Sequence, residues 1–155
     1  MFMLLKGNSK ENTKEGEFSM SSSGEEVPVL GKDAAGRVIV DFSNTKWWGI
    51  PRKEIPWYPR IDYDKCVECG LCFWICAKRV VYDWDFSRNK PVVARPYNCV
   101  VGCLTCANLC PEGAIVFPSL EELRKWRDKA KAVDKAKEKI EELRKKIGYK
   151  NTMQK

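Results

Sequence analysis

Eight cysteines fall in two tight runs: Cys66-Val-Glu-Cys69-Gly-Leu-Cys72-Phe-Trp-Ile-Cys76 and Cys99-Val-Val-Gly-Cys103-Leu-Thr-Cys106-Ala-Asn-Leu-Cys110-Pro111. Four soft thiolates so closely spaced, twice over, form a ligand set suited to iron–sulfur clusters. The stretch that carries them, residues 60–118, is too short to bury much apolar surface unaided. It needs cross-links, and metal clusters supply them. The chain has no histidine, so any metal site must use thiolates or carboxylates. One spacing is irregular: the second run opens with a three-residue gap where the first has two.

Two bland uses of the cysteines compete. Two zinc sites of four cysteines each satisfy the spacing loosely, but zinc sites usually use paired Cys-x2-Cys knuckles and not four cysteines in one run ending in Cys-Pro. Disulfides fit poorly with a cytoplasmic location. That location is the expectation here, because no apolar run is long enough to span a bilayer. The opening Met-Phe-Met-Leu-Leu-Lys is also too short for a signal-peptide core.

Residues 61–118 resemble the bacterial-type two-[4Fe-4S], or dicluster, ferredoxins. The first run has the family spacing with Gly70 after its second cysteine, and Cys110-Pro111-Glu-Gly-Ala114-Ile115 matches the family's second-run ending. The resemblance implies an α+β, ferredoxin-like dicluster fold with a pseudo-two-fold repeat. It implies two [4Fe-4S] clusters that pass single electrons by outer-sphere transfer, each cubane cycling between two core charges. In such two-cluster proteins the fourth cysteine of each run ligates the other cluster. Carried over, cluster 1 takes Cys66, Cys69, Cys72 and Cys110, and cluster 2 takes Cys99, Cys103, Cys106 and Cys76. Two positions depart from the family. Ala77 stands where a proline usually follows the fourth cysteine, and Val101 or a neighbour is extra, with Gly102 giving the backbone freedom to absorb it as a bulge.

The triplet Cys99-x3-Cys103-x2-Cys106 also resembles the radical S-adenosylmethionine signature. Those enzymes need a far larger barrel, and Cys76 is available to close the cluster. No nucleophile, base or substrate pocket is evident, so the chain reads as an electron carrier and not an enzyme. Redox enzymes are then its expected donor and acceptor. A dedicated iron–sulfur subunit of a larger oxidoreductase is the first alternative, and a zinc-stabilised interaction module the second.

The rest of the chain is organised around that core. Residues 1–26 are polar and expected to be disordered. Residues 27–59 read as a loose hairpin (27–30 with 37–42) followed by an arm rich in tryptophan and proline. Three prolines at 51, 56 and 59 exclude a regular helix there. Within 60–118, strands are expected at 61–63, 80–84, 91–95 and 114–117, with helical turns at 70–76 and 105–109. Tyr63, Phe73, Trp74, Tyr82 and Tyr97 are expected to pack around the clusters and keep water off.

Ser119-Leu-Glu-Glu122 is a capping box, opening an amphipathic basic helix assigned to 119–148, with a tail at 149–155. Leu123, Trp126, Ala130, Val133, Ala136, Ile140, Leu143 and Ile147 form its apolar stripe. Residues 119–155 carry thirteen Lys and Arg against seven Asp and Glu, which accounts for most of the chain's net charge of +7. Acids interleave the lysines and no base-reading motif accompanies them, so nucleic acid is not an expected partner. The C-terminal helix or the N-terminal arm is the expected handle for an oxidoreductase catalytic subunit.

Overall fold

The computed structural model describes residues 18–21 and 24–148. Most of the segment expected to be disordered, residues 1–17 with 22 and 23, lies outside the described residues, as does the tail from 149. Phe18–Met20, inside that segment, instead forms strand β1. It pairs antiparallel with β2 (Glu26–Lys32), which pairs in turn with β3 (Val38–Val40). The β2–β3 connection closes on Asp33, whose carboxylate accepts from the backbone N–H of Ala35 and Arg37. A register shift between Val29 and Gly31 twists the pair. Val27, Val40 and Phe42 make a small separate core with Val29 against it.

The tryptophan- and proline-rich arm follows. Strands β4 (Lys46–Trp47) and β5 (Ile50–Pro51) form a two-residue hairpin. Its tip, Trp48-Gly49, has positive φ at both positions, the backbone that tight hairpins require. A single 3-10 turn, Arg52–Glu54, then turns the chain inward. Ile55 and Trp57 become fully buried in the main core beside Phe73, Val81, Tyr82, Cys99, Cys106 and Ile115. The arm thus packs on the cysteine-bearing body.

That body is built from short pieces. Strand β6 (Arg60–Ile61) precedes the first cysteine run, and β9 (Ile115–Val116) follows the second. They pair antiparallel, bringing the ends of the segment together. Between them lie helix α1 (Leu71–Ile75), the hairpin of β7 (Tyr82–Asp85) and β8 (Lys90–Val93), and helix α2 (Thr105–Leu109). Gly70 sits at φ +74 immediately before α1, a conformation costly for any residue with a Cβ. The architecture is mixed helix and strand, α+β.

The C-terminal helix differs from expectation. Two helices replace one: α3 (Leu120–Lys129) and α4 (Ala132–Lys146). The break falls at Lys131, which adopts a left-handed backbone (φ +50). Ser119 caps α3 as expected, its hydroxyl accepting from Glu122 N–H at 3.2 Å. The apolar stripe splits at the same point. Ala130 and Ala132 are buried and Leu123 and Trp126 pack on the main core, whereas Val133, Ile140, Leu143 and Ile147 are exposed. Glu121 pairs with Lys125 (3.9 Å) in α3, and Glu141 with Arg144 in α4. No helix among the described residues is long and apolar enough to cross a membrane.

Candidate metal centre

The eight cysteines divide between two hollows. Cys76, at the end of α1, lines one hollow with Cys99, Cys103 and Cys106. Cys110, just past α2, lines the other with Cys66, Cys69 and Cys72. Each hollow therefore gathers three cysteines of one run and the last of the other. Side-by-side contact of α1 and α2 produces this exchange, because each run ends in a short helix that carries its fourth cysteine across to the neighbouring loop. The first hollow measures about 350 Å³ and the second is narrow, about 20 Å³. All eight thiols are free. Among the described residues, no three His, Cys, Asp or Glu side chains are gathered so as to hold a metal ion.

The walls are largely apolar, and this sets the thiols' chemistry. Burial pushes the Cys72 and Cys99 thiols up to about 12. It raises Cys76 and Cys106 as well. Such thiols stay protonated at neutral pH until something cationic takes their protons' place.

Polar groups reach the sulfurs from outside the two runs. The buried Tyr82 hydroxyl donates to Cys106 Sγ at 3.2 Å. Burial, with Cys106 beside it, drives the Tyr82 phenol far above its ordinary range, so it remains a donor. Ala114 N–H donates to Cys110 Sγ at 3.3 Å, and Thr105 Oγ1 stands 3.5 Å from Cys103 Sγ. The three-residue gap is taken up by a turn: Cys103 N–H donates to the Val100 carbonyl at 2.9 Å and Gly102 sits at φ +92.

Two arginines stand beside the larger hollow. Arg52 is 4% exposed and makes no ion pair among the described residues. Its guanidinium donates to the carbonyls of Cys99, Ile55 and Trp57. Arg79 lines the hollow and stacks on Phe42, 3.9 Å from the ring centroid. Asn98, also buried, ties the N-terminal hairpin to this region. Its amide donates to the Val40 and Arg79 carbonyls and its oxygen accepts from Phe42 N–H. At the edge of the smaller hollow Cys69 is exposed, in a surface cleft with Trp74, Trp84 and Phe86.

Sequence reasoning placed Tyr82 near the cysteines only as packing and passed over Arg52 and Asn98. Nothing in the local pattern marks either of the last two, since Arg52 stands beside Lys53 and Glu54 in the sequence.

Comparison with known proteins bears on the whole arrangement. No protein-family model and no solved structure matches the chain. An uncharacterized ferredoxin of Methanocaldococcus jannaschii is 43% identical over 72 residues, covering 46% of this chain and 47% of its own length. The chain thus spans about half of that relative. The pyruvate synthase subunit PorD of the same organism is 35% identical over 57 residues, 37% of this chain and 62% of that subunit. Ferredoxin-3 of Nostoc sp. is 33% identical over 84 residues, 42% of this chain and 86% of its own length. Because that last protein is matched along nearly its whole length, the likeness is to a ferredoxin as a unit and not to one shared loop, and the chain belongs to the bacterial-type ferredoxin family.

Proposed function

We propose that the chain is an electron carrier with two [4Fe-4S] clusters, one held by Cys66, Cys69, Cys72 and Cys110 and the other by Cys76, Cys99, Cys103 and Cys106. The carrying observation is the grouping of thiols: each hollow is ringed by four cysteines, three from one run and one from the other. The donor set fits such a group. The thiols ring a space and do not converge as a lone ion demands, and tetrahedral zinc needs four sulfurs about 2.3 Å from one point. The uncompensated Arg52 charge suits an anionic occupant at the larger hollow. A cubane, when bound, supplies one-electron chemistry at low reorganisation cost.

The chain's own residues do the rest. Trp57 and Ile55 pack in the buried core with Cys99 and Cys106, and Trp57 Nε1–H donates to the Cys103 carbonyl at 3.2 Å. Tyr82 stands between the hollows, in electrostatic reach of Cys72, Cys76 and Cys106. Cys69 faces solvent and gives the more open route for an electron to enter or leave. The pseudo-two-fold repeat of the family is supported by two cysteine runs that each lead into a five-residue helix. We place this activity in the cytoplasm, between redox enzymes. The relation to PorD, a pyruvate synthase subunit, favours service within a larger oxidoreductase.

Anaerobic purification tests the reading. A brown protein with broad visible absorption, iron and sulfide sufficient for two cubanes, and a reduced-state paramagnetic signal of two interacting clusters is expected. A colourless protein containing zinc overturns it.

A further inference from the structure

The last three turns of α4 bury no side chain against their own chain: every residue from 137 to 148 is exposed. Isolated helices shorter than about 12–15 residues are marginal in water. Local support is thin, since Arg144–Glu141 at 2.9 Å is the one ion pair within α4 among the described residues. Exposed pairs of that kind contribute little.

One face of this helix is apolar and narrow. Val133, Ala136, Ile140, Leu143 and Ile147 recur at alternating three- and four-residue steps, the a and d positions of a heptad seam. Val133, Ile140, Leu143 and Ile147 are 48% to 66% exposed. A shallow groove of about 510 Å³ runs along Val133, Ala136, Ile140 and Arg144. A seam two positions wide per heptad fits the seam of another helix. A bilayer surface is met by a broader apolar face with large aromatic or leucine side chains.

The flanks select the partner. The positions beside the seam are Lys137 and Arg144 on one side, Lys139 and Lys146 on the other, all basic. The acids Asp134, Glu138 and Glu142 stand away from it, and Glu141, which lines the groove, is paired with Arg144 at 2.9 Å. A second copy would bring like charges together whether the helices ran parallel or antiparallel. Lys135 donates to the Trp48 carbonyl and Lys139 lies over the Trp48 ring at the hairpin tip, so the body meets the helix on its Lys139 flank and the Lys137 and Arg144 flank stays open.

We propose that this seam docks an amphipathic helix of a partner protein, apolar along its own seam and flanked by Glu or Asp. That the partner is a redox enzyme rests on the electron-transfer reading; the docking itself rests on α4 alone.

The test uses the full-length, iron-loaded chain and two synthetic helical peptides, with leucine at a and d and either glutamate or lysine at e and g. The glutamate peptide is expected to bind at least about tenfold tighter than the lysine peptide and to weaken as salt rises. Ile140→Ser with Leu143→Ser, both solvent-exposed, should reduce binding at least about tenfold without changing iron content or visible absorption. Lys137→Glu with Arg144→Glu should reverse the peptide preference. Four results overturn the proposal: no preference between peptides, binding indifferent to the serine substitutions, a dimer of the chain alone that those substitutions dissolve, or adsorption to phosphatidylglycerol vesicles without peptide binding. Because binding is read by peptide fluorescence, its failure leaves the cluster signals untouched and the two readings stay separable.

Discussion

Tyr82 has its ring fully buried and its hydroxyl on Cys106 Sγ. A hydrogen bond donated to a cluster's thiolate stabilises the more negative, reduced state and so raises the reduction potential. Tyr82→Phe keeps the packing and removes the donor, so one of two reduction waves should move to more negative potential in film voltammetry while the other stays. Equal shifts of both waves would indicate a global change in place of this bond. Arg52 has a different role. It satisfies three backbone carbonyls around Cys99, and hydrogen bonds from a charged donor are worth roughly 1.5–3 kcal/mol each. Arg52→Met should cost about 3 kcal/mol or more and speed loss of the cluster on the Cys99 side, followed by bleaching of visible absorption in air. Asp33 is held below the usual carboxylate range: burial raises it, and hydrogen bonds from Arg37 and Ala35 outweigh that. A depressed carboxylate contributes stability that is complete above its unfolded value, about 3.9, and lost as pH falls through the folded one. The Asp33–Arg37 pair (2.6 Å) is therefore fully formed at neutral pH.

At the scale of elements, the break between α3 and α4 is the clearest departure from the sequence pattern. Lys131 holds a left-handed backbone there, which costs a residue with a Cβ roughly 1 kcal/mol. Lys131→Gly should stabilise the chain by up to about 1 kcal/mol, read as a raised melting temperature; a destabilisation would mean that the lysine side chain outweighs its backbone strain. A trace of the break is legible. The stripe steps by three twice in succession, from Ala130 to Val133 to Ala136, and two such steps fall short of two 3.6-residue turns. Propensity and capping alone favoured one helix, and burial of Ala130 and Ala132 against the body decided for two. The N-terminal hairpin is held by long-range bonds. Arg37 donates to the Tyr82 carbonyl at 3.1 Å and to that of Phe73, and its guanidinium lies 3.7 Å from the Phe73 ring centroid. The turn that absorbs the extra residue near Val101 is by contrast local. Deleting Val101 should shift the wave of the cluster proposed on Cys99, Cys103 and Cys106 and spare the other.

For the whole molecule, the proposed exchange of fourth cysteines would make the two halves depend on each other. If each cubane links both runs, removing either leaves Cys76 or Cys110 without its tie across α1 and α2. Chelation or acid stripping should then unfold residues 60–118 in one step, seen as simultaneous loss of visible absorption and protease resistance. Stepwise loss, with half the colour and an intact fold remaining, would contradict the exchange. The arm reinforces this unit from outside, since Ile55 and Trp57 belong to the same core as Cys99 and Cys106.

The sequence by itself determined the chemistry and the positions of the short elements around it. Thiol chemistry is set by residue type, and runs of four cysteines leave the intervening loops few ways to reach one site. Thr105–Leu109 is helical as read, and the strands β7 and β8 overlap the expected spans, each reaching one residue beyond them toward the turn. The tertiary structure alone decided what surrounds the sulfurs. Tyr82, Arg52 and Asn98 act over separations of 24, 47 and 56 residues, and no periodicity or spacing rule encodes contacts at that range. It also decided which half of the C-terminal stripe is covered, because burial depends on what lies opposite a face and not on the face alone.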